Sequence, residues 1–258
     1  MMYLKKLRFL TSLRFFFIIT FTIIIFFNFL DIAIFKLSRS FHGVFFQFFK
    51  ELIDPLSDIF DPLNIIIICV LILVFNTNIK YILLNKDKLK VIRNNLGFSL
   101  DKTISLFNYL SLLCKHFISS IAIAGILCNL FKYIFGVSRP KYFFLEGYDR
   151  VNFFNIEHKV SSFPSGHTQA AFTLAILIII YSNKHALYII VLASLMSVSR
   201  IFMSMHFPSD LIAGAYLGAV VPLILYEKIY RNEVEKIKKK YNIRFKDLIK
   251  LMYWRIFV

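Results

Sequence analysis

The chain has 258 residues, 58% of them hydrophobic and 17% aromatic, with 18% charged and a formal net charge of +16. A soluble domain carries about 25% charged residues, and here the apolar residues fall in long blocks, so an ordinary soluble domain is excluded. The 31 Phe exclude disorder. The three Cys (69, 114 and 128) all lie inside apolar runs, which excludes a disulfide scaffold. The composition predicts an integral membrane protein.

A helical span needs roughly 20 mainly apolar residues. In chain order the predicted spans are Phe15–Phe35, Leu63 to about Leu84, about Leu112 to Leu130, Gly166–Tyr181, Leu187–Met205 and Leu211–Tyr226. The blocks lack the alternation of a transmembrane barrel, so the expected fold is all-α, an integral membrane six-helix bundle with interfacial helices. Residues 1–258 are expected to form a single membrane domain, with 228–258 as a basic cytoplasmic tail. No small-residue cleavage pattern follows Leu30, so the first span reads as an uncleaved anchor. Phe41, Val44, Phe45, Phe48 and Phe49 repeat at helical spacing, which predicts an interfacial helix at the outer face; 247–255 predicts another at the inner face.

Orientation follows from Lys and Arg. Lys5, Lys6, Arg8 and Arg14 precede the first span; Lys80, Lys86, Lys88, Lys90, Arg93 and Lys102 follow the second; the tail from Lys228 is strongly basic. With six spans these segments share one side, which places both termini in the cytoplasm of a bacterial-type inner membrane. The basic excess is thereby assigned to the bilayer, and no nucleic-acid partner is expected.

Against this pattern, Lys132 and Arg139 end the third span, Pro164-Ser165-Gly166-His167 opens the fourth, Ser199-Arg200 ends the fifth, and His206 and Asp210 lead into the sixth. All four ends face the outer side. Ionisable groups at such depth are costly and usually functional. Three cations with one carboxylate call for an anion, and guanidinium forks match phosphate oxygens. Free amides and the positive dipole end of a helix opening at Gly166 suit the same ligand. Asp210 within reach of His206 would fix the ring tautomer and free the other nitrogen to attack. Ser199 and His206, seven apart, share a face if the fifth helix persists that far. His167 is the expected general acid. The cations take the place of a metal, and no metal or other cofactor is expected.

Lys132, six residues, Arg139-Pro140; Pro164-Ser165-Gly166-His167; and Ser199-Arg200, five residues, His206, three residues, Asp210 together resemble the three-part signature of the type-2 phosphatidic acid phosphatase superfamily. The resemblance covers about 104–226, the expected catalytic core. It implies metal-independent hydrolysis of a membrane lipid phosphate through a phosphohistidine on His206. It also implies phosphate contacts from Lys132, Arg139, Ser165, Gly166, His167 and Arg200. The substrates it allows are lipid A phosphate, undecaprenyl pyrophosphate, phosphatidylglycerol phosphate and phosphatidic acid, at an active site on the periplasmic face. A lipid phosphotransferase with the same intermediate, and a non-catalytic phospholipid-binding membrane protein, are the alternatives.

Other polar residues read as structural. His42, His116, His158 and His185 suit interfaces or loops; Asp31 and Asn28 orient span one or face a wet cavity. Lys141, Tyr148, Arg150 and Lys159 lie in an outer loop expected to shape headgroup choice.

Overall fold

The computed structural model describes residues 7–59, 61–83, 97–244 and 246–250. The basic connection at 84–96 and the end of the amphipathic tail at 251–255 lie outside them. Among the described residues the protein is all-helical, with one isolated bridge between Val137 and Val151. The helices are α1 (Leu13–Ser40), α2 (42–59), α3 (Pro62–Leu83), α4 (Leu100–Phe135), α5 (Pro140–Leu145), α6 (Gly166–Tyr181), α7 (Ala186–Phe202) and α8 (Pro208–Tyr241). Of these, α1, α4 and α8 are long and apolar enough to cross a membrane; Pro62–Thr77, α6 and α7 are shorter apolar helices.

The fourth predicted span coincides with α6. The third does not stop where its apolar block stops: α4 is a 36-residue helix that includes Lys132 in its last turn. The first likewise runs on to Ser40 through a π-helical turn at Phe26–Leu30. Hydropathy marks where a helix meets lipid, whereas its ends are set by where the backbone bonds can be capped.

The fifth span corrects the expectation that a helix carries Ser199 and His206 on one face. α7 ends at Phe202. Ser204 adopts a left-handed φ of 58°, and its N–H reaches the carbonyl of Ile201 while that of Met205 reaches Arg200. This is a Schellman end with Ser where Gly is usual, so the sequence carried no stop signal. Arg39 of α1 caps the same end, donating to the carbonyls of Ile201 and Phe202 at 2.5 and 2.9 Å.

The chain divides into two compact units. One comprises 1–64 and 120–224, and holds all the candidate site residues. In it, α8 packs on α6 through two glycines. A Cβ at Gly214 would stand 2.5 Å from the Ser165 carbonyl oxygen, and one at Gly218 2.3 Å from that of Gln169. Small residues four apart let two helix backbones approach this closely. The other unit comprises 65–119 and 225–258. There His116, read above as an interface or loop residue, is fully buried with its ring centroid 4.7 Å from that of Tyr230. Asn76 donates to Ser111 Oγ at 2.9 Å.

Candidate active site

Two helix starts build the centre of the site. At α8, Pro208 occupies the first turn, where its missing N–H costs nothing. Asp210, third in the helix, reaches back to accept from the Phe207 N–H at 2.7 Å, the carboxylate half of a capping box. At α6, Ser165 is the N-cap and its side chain accepts from the Thr168 amide. The Ser165 N–H donates to the Asp210 carbonyl at 3.0 Å. The two first turns are therefore joined backbone to backbone, at the depth that Gly214 permits.

His206 sits on the turn between α7 and α8, 2% exposed. Its amide points back to the Arg200 carbonyl at 3.4 Å. Asp210 Oδ2 lies 3.6 Å from His206 Nδ1, an ion-pair distance too long for a hydrogen bond. The hydroxyl of Ser162 fills the gap. It donates to Asp210 Oδ2 at 2.5 Å and stands 3.3 Å from His206 Nδ1. Because its proton is committed to the carboxylate, its oxygen remains to accept from Nδ1–H. That places the hydrogen on Nδ1 and the lone pair on Nε2. Asp210 thus lies within reach of the His206 ring, at ion-pair distance and also through the Ser162 hydroxyl. Nothing in the spacing of the signature singles out Ser162. A Ser shortly before Pro-Ser-Gly becomes informative only once the loop brings it to His206.

Lys132 and Arg139 come to this centre from different elements, while the Arg200 side chain is placed by Asp54 and Ser199. A Cβ on Gly166 would meet Lys132 Nζ at 3.4 Å, so the bare glycine lets the ammonium reach the start of α6. Arg139, 6% exposed, donates to Ser161 Oγ at 3.3 Å and lies 3.8 Å from Met205 Sδ, touching the residues next to Ser162 and His206. Arg200 is buried as well. Its guanidinium pairs with Asp54 of α2 and its Nε donates to Ser199 Oγ at 3.3 Å. Nothing in the residue pattern around Asp54 marks it as the partner of Arg200. His167 stands exposed on the first turn of α6.

Electrostatics follow from this placement. Burial pushes the His206 imidazole down to about 4; Asp210 opposes the shift, while Arg139 and Lys132 add to it. The ring is neutral at ordinary pH. The Arg139 charge, with burial and Lys132 behind it, also lowers His158 in the adjoining loop. Among the described residues, no group of three or more His, Cys, Asp or Glu is placed to hold a metal ion.

The family model of the PAP2 superfamily matches residues 114–233. Bacitracin transport permease protein BcrC of Bacillus licheniformis is 39% identical over 72 residues, 28% of this chain and 36% of that protein. Lipid A 1-phosphatase of Rhizobium etli is 30% identical over 118 residues, 45% of this chain and 50% of its own. Undecaprenyl-diphosphatase of Sulfolobus acidocaldarius is 30% identical over 127 residues, 46% of this chain and 57% of that one. The chain thus spans from about a third to somewhat over half the length of these relatives. No solved structure matches it.

Proposed function

We propose, from the match of residues 114–233 to the PAP2 superfamily and from the site geometry, that the protein is a membrane lipid phosphate phosphatase working through a phosphohistidine on His206. The observation that carries the proposal is the His206–Ser162–Asp210 chain, with the charges of Lys132 and Arg139 acting on the same ring. A neutral imidazole, its Nδ1–H held and its Nε2 lone pair free, is the form a nucleophile needs. Binding alone would not require it.

In the first step Nε2 of His206 bonds to phosphorus as the bond to the leaving oxygen breaks. His167 gives that oxygen a proton. Lys132, Arg139, Arg200, Ser165 and the amides opening α6 at Gly166 stabilise the equatorial oxygens. Positive charge developing on the ring is met by Asp210 through Ser162. In the second step water attacks phosphorus, His167 takes its proton, and the P–N bond breaks to release inorganic phosphate. Arg200 would bind a phosphate oxygen through the guanidinium hydrogens not taken by Asp54 and Ser199.

The reading places the protein as a six-helix bundle in a bacterial inner membrane, as a single membrane domain with the catalytic core at 104–226. Both termini are cytoplasmic and the site faces the periplasm, where the lipid phosphate reaches it from the outer leaflet. The names of the relatives, a lipid A 1-phosphatase and an undecaprenyl-diphosphatase, point to lipid A phosphate or an isoprenoid pyrophosphate. The test is phosphate release by purified protein in mixed micelles against these two, phosphatidylglycerol phosphate and phosphatidic acid. Release from at least one, insensitive to chelators, is expected; release from none overturns the proposal.

A further inference from the structure

The turn that carries His206 is gripped by a second buried carboxylate, on a helix outside the family match. Asp31 of α1 is fully buried. It accepts from Ser209 twice, from the N–H at 2.8 Å and from the hydroxyl at 2.6 Å. It also pairs with the guanidinium of Arg150. The Cζ of that guanidinium is 3.6 Å from the Phe207 ring centroid and 4.6 Å from that of Phe27. Phe207 is itself fully buried, with the Phe35 ring 5.7 Å away.

Arg150 is no floating loop residue. Its carbonyl accepts from the Ser138 N–H at 3.1 Å, and the neighbouring Val151 bridges Val137. The same short stretch carries Arg139. Of the residues between His206 and Asp210, Phe207 is therefore held by Arg150 and Ser209 by Asp31.

We infer that Asp31 and Arg150 are positioning residues that clamp the 206–210 turn, so that the His206 ring and the Asp210 carboxylate keep their registry with Ser162. The inference rests on the proposed role of His206. Neither residue needs to touch the phosphate; they hold Phe207 and Ser209, and their opposite charges also act in opposite senses on Asp210. In-line attack tolerates little misplacement, and an error of about 1 Å costs on the order of 10²-fold in rate. Cutting one partner leaves a buried charge uncompensated, whereas removing both does not. That difference separates a clamp from an ion pair that only supports folding.

The test compares the full-length protein with Asp31→Asn, Arg150→Met, the double variant and Ser209→Ala, all assayed for phosphate release in mixed micelles, with thermal midpoints measured beside them. Both single variants should lose roughly 10–100-fold in kcat with KM within about threefold of the parent. Ser209→Ala should lose roughly 3–10-fold on the same reasoning. The double variant should regain the parent midpoint yet stay as slow as the slower single variant. Normal kcat in a well-folded double variant together with normal kcat in Ser209→Ala overturns the clamp, as does a loss confined to KM. If the single variants fail to fold, the double variant and Ser209→Ala decide. A parent protein that releases no phosphate, or a His206→Ala variant that keeps releasing it, overturns the catalytic reading instead, and the clamp falls with it.

Discussion

Two buried carboxylates act on one five-residue turn, and they are treated differently. Asp31 is met by a guanidinium and by both donors of Ser209. Asp210 accepts its hydrogen bonds from a serine hydroxyl and a backbone amide, and the charges of Lys132, Arg139 and Arg150 act on it through space. A carboxylate in direct contact with a cation has its field cancelled locally and serves to hold structure. One whose hydrogen bonds come from neutral donors keeps more of its field for the ring beside it, and Asp210 raises the affinity of His206 for a proton against the effect of burial. Neither burial nor charge by itself separates the two carboxylates. The identity of their donors does.

The largest effect belongs to the group both carboxylates serve: His206→Ala should lower phosphate release by roughly 10⁴–10⁶-fold. No acid-labile phosphoenzyme should then be trapped on quenching. Asp210→Asn should cost roughly 10²–10⁴-fold in kcat, clearly more than Asp31→Asn; steady-state rates of the two side by side suffice, and the reverse order would end the distinction between them. Ser162→Ala should fall below both, roughly 10-fold in kcat, because Asp210 stays close enough to orient the ring without the intervening hydroxyl. The smallest effect is on pH dependence. With the folded pKa of His206 lowered from about 6.5 to about 4, the unfolded chain binds a proton that the folded one refuses. Stability should therefore fall as pH drops from about 6.5 towards 4 and level off below. The acid limb of kcat/KM should follow the same lowered ionisation. Unfolding midpoints against pH for the parent and His206→Gln isolate the contribution, which the variant should lack.

Much of the candidate site was legible because the chemistry that needs it is local. Pro-Ser-Gly before an apolar run reads as a helix start, and α6 begins at Gly166. Pro208 likewise reads as a first-turn residue, and α8 begins there. Ser162 was not legible, since its role depends on a loop folding back over 44 positions to reach His206. The end of α7 was missed for a related reason. Ser204 takes a conformation usually given to glycine, and the residue that caps the helix, Arg39, comes from α1. The apolar span around Asp31 shows only a residue that orients the span or faces a wet cavity, and the loop around Arg150 only a candidate headgroup contact; that the two are each other's partner is decided by packing.

Residue order alone settled the apolar blocks, the basic flanks and the set of polar side chains set against them, because hydropathy and charge are sums over neighbours in the chain. Which oxygen faces which nitrogen was decided only when distant segments packed. Hydrogen bonds depend on tenths of an ångström between groups more than a hundred residues apart, and that information exists nowhere but in the fold.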